Sequence, residues 1–243
     1  MHRLLNLWDS VLGYSRADPL KKVLKVFASK IPIFFLQRLE PYALLNSDFL
    51  NLKSAPTCKA RSDVWDQVLS LLGSSPLVYV EFGVYQGESI TYFADKNKNP
   101  DSVFFGLDSF EGLPESWAGN PKGFFSTLGN TPKLNDSRVQ FISGWFIDSW
   151  KGLSFEGLPI ENLIVHYDAD LYSSTLFALS KINDLGQEYY AIFDEFTGQE
   201  SRALSDYLSA FNAKVEFVCK QNWRGYPEVV LCKIYPHKSV TKP

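Results

Sequence analysis

Sulfur is scarce in this chain, with one methionine and three cysteines among 243 residues. Cys58, Cys219 and Cys232 are scattered, odd in number and without Cys-x-x-Cys spacing, which argues against a zinc site or a disulfide framework and for a reducing cytoplasm. No run of eighteen apolar residues occurs, so no membrane span is expected. Near the N-terminus no compact apolar segment leads to a small-residue cleavage site, so no signal peptide is expected either. Basic excess is missing as well: 24 Lys/Arg against 27 Asp/Glu give a net charge of −3, no footing for nucleic-acid binding. Internal repeats and low-complexity linkers are absent.

What remains is an ordinary globular composition, 45% hydrophobic and 21% charged, rich in aromatics at 15%. The charge is uneven. Residues 1–40 hold seven basic and three acidic side chains, or +4, which leaves −7 for the rest. Residues 1–60 read as a helical cap or lid, with short amphipathic helices around Leu4–Leu12 and after Pro19 and an oily Ile33–Leu36 patch. This basic, oily segment suits a lid, a homodimer arm or a helix lying on a membrane surface, and the sequence does not choose among them.

From residue 61 onward a single α/β domain is expected, in which strands and helices alternate. A helix over Ser62–Leu72, capped by Ser62, precedes strands at Val78–Phe82, Val103–Asp108, Arg138–Ile142, Leu163–Tyr167 and Tyr189–Phe193. Two further β-rich runs, Lys214–Cys219 and Glu228–Ile234, read as an antiparallel hairpin. The pattern predicts a Rossmann-like, mostly parallel seven-stranded sheet closed by that hairpin. Ser109–Asp136 is a long irregular stretch with three prolines and four glycines, expected to be functional.

Four strands end in acids: Glu81, Asp108, Asp168 and Asp194. In such a sheet ligands bind beyond the strands' carboxyl ends. Glu81-Phe82-Gly83 with Gly87 reads as strand, tight turn and helix start, the place for a nucleotide-like ligand. Asp108 there can accept two ribose hydroxyls and would repel a phosphate. A cationic ligand with a free ribose satisfies both acids, and S-adenosylmethionine fits; the departure from Gly-x-Gly-x-x-Gly speaks against a pyrophosphate cofactor. Asp168, Asp170, Asp194 and Glu195 can converge on one hard cation such as Mg²⁺, although solvated acids capping the next helices, with Asp170 or Ser173 as N-cap, are the plainer account. His166 lies in an apolar strand and reads as a satisfied core histidine. Trp117, Trp145 and Trp223 fall in loops, where each could stack on a ring or serve the core.

Glu81–Gly87, Asp108-Ser109-Phe110-Glu111-Gly112-Leu113-Pro114-Glu115, Gly144-Trp145-Phe146 and Asp168-Ala169-Asp170-Leu171-Tyr172-Ser173-Ser174-Thr175 together resemble the macrocin O-methyltransferase family, over roughly residues 57–200. The family's members are class I S-adenosylmethionine enzymes that methylate sugar hydroxyls, and characterised ones use Mg²⁺. The resemblance implies that Glu81, Gly83, Asp108 and Ser109 bind S-adenosylmethionine, and Gly87 and Trp145 are added to that set. It further implies Asp168, Asp194 and Glu195 as metal ligands, with Asp170 as general base beside Asp168. The family commonly has two aspartates where this chain has Asp194-Glu195. Expected, then, is a Mg²⁺-dependent O-methyltransferase with a sugar or other vicinal-diol acceptor. Two rivals stand beside it: a glycosyltransferase using Asp168-Ala169-Asp170, and a non-catalytic binding protein on a methyltransferase fold.

Overall fold

The computed structural model describes residues 33–237 of the chain. The two helices expected before Pro32 lie outside the described residues. Helix α1 (Ile33–Leu44) leads through a short 3₁₀ turn to the two-residue strand β1 (Thr57–Cys58) and helix α2 (Arg61–Leu72). Then come β2 (Val78–Phe82), α3 (Glu88–Lys96), β3 (Val103–Asp108), β4 (Val139–Ser143) and the short α4 (Phe146–Ser149). The chain closes with β5 (Leu163–Tyr167), α5 (Tyr172–Asn183), β6 (Tyr189–Phe193), α6 (Ser201–Phe211), β7 (Lys214–Trp223) and β8 (Tyr226–Tyr235).

The strands form one eight-stranded sheet in the order β1-β7-β8-β6-β5-β2-β3-β4. Only β8 runs against its neighbours. The extra strand over the seven expected is β1, parallel to β7 at the edge; two residues are too short to show a period in sequence. The hairpin strands also run further than expected, to a two-residue turn at Arg224-Gly225. Both turn residues have positive φ, 50° and 89°, the conformation that matches the twist of a tight hairpin.

Alternation along the strands sorts the core into two layers. Val78, Val80 and Phe82 of β2 and Val165 and Tyr167 of β5 pack on one face with Ala178, Leu179, Leu204 and Tyr207 of α5 and α6. Tyr79 and Ile164 face the other way, against Val64, Trp65 and Val68 of α2 and Ile90 and Phe93 of α3. The described part of the N-terminal segment joins the first layer through Leu44, Leu45, Phe49 and Leu52. Helix α2 is held at its start by Asp63, whose carboxylate accepts the N–H groups of Lys59 and Ala60; Ser62, expected as the cap, lies inside the helix. Among the described residues no helix is long and apolar enough to cross a membrane.

After β2 the chain builds outward through β3 to β4, then returns to place β5 on β2's other side. That reversal puts a crevice beyond the ends of β2 and β5, where an open α/β sheet takes its ligand.

Candidate active site

A cleft of about 610 Å³ opens at this point. Gly83, Asp108, Ser109 and Trp145 line it, and so do Asp168, Asp170, Asp194 and Glu195. Eight of the ten residues singled out from sequence thus share one cavity.

The other two stand just behind it. Glu81 is fully buried and is not part of the cleft wall; its carboxylate accepts the Ser89 hydroxyl at the start of α3 and lies 3.5 Å from Nδ1 of His166. Burial pushes the Glu81 carboxyl up to about 7, against the lowering pull of His166 and Ser89. Gly87 opens α3 with φ 78°, and a Cβ there would meet the Pro132 ring at 3.0 Å. Both shape the turn without lining the cleft.

Gly83 has the sharper constraint. Its φ is 94°, and a Cβ would fall 1.9 Å from the carbonyl oxygen of Asp168. Asp108 holds the same turn from the other side: Oδ2 accepts the N–H groups of Val84 and Tyr85, each at 2.8 Å, and Oδ1 accepts that of Phe110 at 2.7 Å. A carboxylate offers about four lone-pair directions. Three backbone bonds therefore leave Asp108 roughly one for a ligand hydroxyl, short of the two expected of it.

The acid end is crowded. Asp168 keeps some surface in the cleft, yet burial, then Asp194 and Asp170, push its carboxyl well above the ordinary range. Burial and the charges of Asp194 and Asp108 raise Asp170 to about 6; burial and Asp170 raise Glu195 to about 8. Burial pulls Asp194 upward too, but His166 and Arg61 outweigh it and hold this carboxyl below its usual value. Arg61, at the start of α2, reaches Oδ2 of Asp194 at 3.3 Å and Glu88 at 3.2 Å. His166 is buried between the two halves of the site, 2.8 Å from the Tyr79 hydroxyl through Nδ1 and 3.5 Å from Oδ1 of Asp194 through Nε2.

Capping does not account for these acids. The first amide of α5, Tyr172 N–H, donates to Oε1 of Gln199 at 2.7 Å, and the residue before the helix is Leu171, with no side-chain cap. Asp170 instead sits in the left-handed region, φ 59°, nearly buried at the cleft. Non-glycine residues held there cluster at functional sites.

Two contributors were not visible in the sequence. Glu200 ends a kinked stretch (Phe196–Glu200), non-helical at Thr197 and Gly198, and is fully buried. Its Oε1 accepts Ala169 N–H at 3.4 Å and its Oε2 accepts Glu195 N–H at 3.2 Å, so one carboxylate ties the two acid loops together. Burial, then Glu195, raise it well above a normal glutamate. Arg61 is the other, and only the fold brings it to the acids. Trp145 lines the cleft and Trp223 a second cavity, whereas Trp117 borders neither.

Among the described residues no three His, Cys, Asp or Glu side chains form a ready metal cage. The donor chemistry still suits a hard divalent cation: all oxygen, mutually repelling, with Oδ1 of Asp194 buried and without a hydrogen-bond partner.

The sheet and its carboxyl-end cleft define the class I methyltransferase fold. The solved O-methyltransferase NovP is 21% identical, covers 74% of this chain and 79% of its own, and superposes with a TM-score of 0.51. CalS11, a TDP-rhamnose 3′-O-methyltransferase of calicheamicin biosynthesis, is 18% identical, covers 90% of this chain and 96% of its own, and has a TM-score of 0.45. No curated protein matches in sequence. Residues 122–216 match the family model of the macrocin-O-methyltransferases (TylF). That stretch carries Asp168, Asp170, Asp194 and Glu195; the Glu81–Gly87 and Asp108–Glu115 motifs lie before it.

Proposed function

We propose that this protein transfers a methyl group from S-adenosylmethionine to a hydroxyl of a sugar or glycoside carrying vicinal hydroxyls, with Mg²⁺ bound at the acid end. The observation that carries this reading is the closeness of Gly83 to Asp168, which joins the glycine turn and the acid cluster within one cleft. Gly83, Ser109 and Trp145 line the cofactor end, with Asp108 fixing the turn's amides. Asp168, Asp194 and Glu195 would hold the cation, which when bound acts as a Lewis acid toward an acceptor hydroxyl.

Asp170, aimed by its left-handed backbone, takes the proton of the attacking hydroxyl. The hydroxyl oxygen forms a bond to the methyl carbon as the carbon–sulfur bond breaks, and S-adenosylhomocysteine leaves. Glu200 keeps the Ala169 and Glu195 amides in place around this centre. The chemistry belongs to the domain from residue 61 onward, in a cytoplasmic enzyme. The sugar acceptor rests on the macrocin-O-methyltransferase match. Glycosyl transfer through Asp168 and Asp170 has no comparable support.

Calorimetric titration with S-adenosylhomocysteine, with and without Mg²⁺, tests the cofactor; micromolar binding is expected, and its absence would sink the proposal. Transfer of labelled methyl groups to glycosides, stopped by a chelator and restored by Mg²⁺, tests the metal. Activity that persists in excess chelator would remove Mg²⁺ from the mechanism.

A further inference from the structure

A second cavity of about 360 Å³ adjoins the cleft and shares Arg61, Asp194 and Glu195 with it. Its remaining walls are Gln221, Trp223, Glu228 and Val229, from the β7–β8 hairpin. We propose that this cavity seats the pyranose ring of the acceptor, with the Trp223 indole as its stacking platform. The proposal rests on the methyltransferase reading and names the substrate class of that same site.

The hairpin is built to present Trp223. Its ladder slips register between Gln221 and Asn222, and such irregularities re-aim the side chains next to them. Trp223 and Tyr226 then pair across the tight Arg224-Gly225 turn. The indole is 58% exposed while lining a cavity, a costly place for so large an apolar surface unless a ligand covers it. The Arg224 guanidinium carbon lies 5.7 Å from the indole centroid. The hairpin end is braced: Tyr226 meets Tyr42 of α1 edge-on, centroids 4.7 Å apart, and the Thr197 hydroxyl donates to the Pro227 carbonyl.

A sugar ring needs this combination, an apolar face for its C–H side and polar groups at its rim. Gln221 and Glu228 supply the rim, and the shared Asp194 and Glu195 lie where the ring would meet the reacting end of the cleft.

Saturation-transfer NMR on the full chain with S-adenosylhomocysteine present, using methyl rhamnopyranoside and methyl glucopyranoside as probes, tests the assignment. Transfer to at least one probe is expected; Trp223→Ala should weaken it about tenfold, and Trp223→Phe should retain most of it. Trp223 is at an exposed hairpin end, so these variants fold. No transfer to either probe, or transfer that Trp223→Ala leaves unchanged, would overturn the subsite. Calorimetry with S-adenosylhomocysteine on the same sample separates the two ideas: Trp223-dependent sugar binding without cofactor binding upholds the subsite and rejects the methyltransferase reading.

Discussion

The Cα of Gly83 lies so close to Asp168 that a single added methyl would sit 1.9 Å from the Asp168 carbonyl oxygen. The contact is locked by the Asp168 N–H, which donates to the Phe82 carbonyl at 3.0 Å. The turn after β2 and the first acid after β5 therefore cannot be displaced independently.

Gly83→Ala should therefore disable both halves of the site together. The variant meets a backbone clash and a φ of 94° at once, and a loss of at least about 2 kcal/mol is expected. Chemical denaturation measures it. A variant as stable as the parent, with normal S-adenosylhomocysteine binding, would show that the two strand ends can part.

Asp170→Asn removes the proposed base while keeping the side chain's shape. Turnover should fall about 10²–10⁴-fold, with S-adenosylhomocysteine affinity within a factor of about three. Single-turnover rates and calorimetry on the same protein give both numbers. Equal loss in both would make Asp170 a binding residue.

Glu200 offers a test of positioning. Glu200→Ala leaves the Ala169 and Glu195 amides without their acceptor, a cost of about 2 kcal/mol in the fold. Glu200→Gln retains one acceptor oxygen and should recover part of the stability and of kcat. A purely structural role would restore stability in Glu200→Gln without changing kcat relative to the alanine variant.

Glu81 sets a pH dependence of stability. Its carboxyl is raised from an ordinary 4.5 to about 7, chiefly by burial. The folded chain thus holds a proton that the unfolded chain releases. Its contribution is full below pH about 4.5 and fades as pH rises through about 7. Glu81→Gln should abolish that decline and be the more stable protein at pH 8, by up to roughly 3 kcal/mol. Parallel denaturation curves between pH 5 and 8 check the sign; curves that stay parallel would mean that Glu81 is ionised in the fold throughout.

The sequence disclosed the strands well because those of the sheet's middle are buried on both faces and read as unbroken apolar runs: Val78–Phe82 and Tyr189–Phe193 are legible by composition alone. The acids that end them followed directly. Beyond reach were contacts made by topology. Arg61 lies 133 positions before the Asp194 it pairs with, and nothing local marks it. Glu200 reads as a surface acid ahead of a helix, since its burial depends on a kink at Thr197-Gly198 that no periodicity announces. The hairpin is legible but its turning point is not, because Arg224-Gly225 lacks the Asn or Asp that usually signals two positive-φ residues.

Lys220, buried in β7, spends its ammonium on two main-chain carbonyls, those of Leu52 and Lys53, at 2.6 and 2.9 Å. It is a peg driven from the sheet into the segment before β1. A chain trimmed at residue 61 would strip that peg of its socket, remove β1 and turn β7 into an open sheet edge. The stretch around residues 44–55 is therefore part of the foundation of the sheet, and shortening the protein safely from its N-terminus must stop ahead of it.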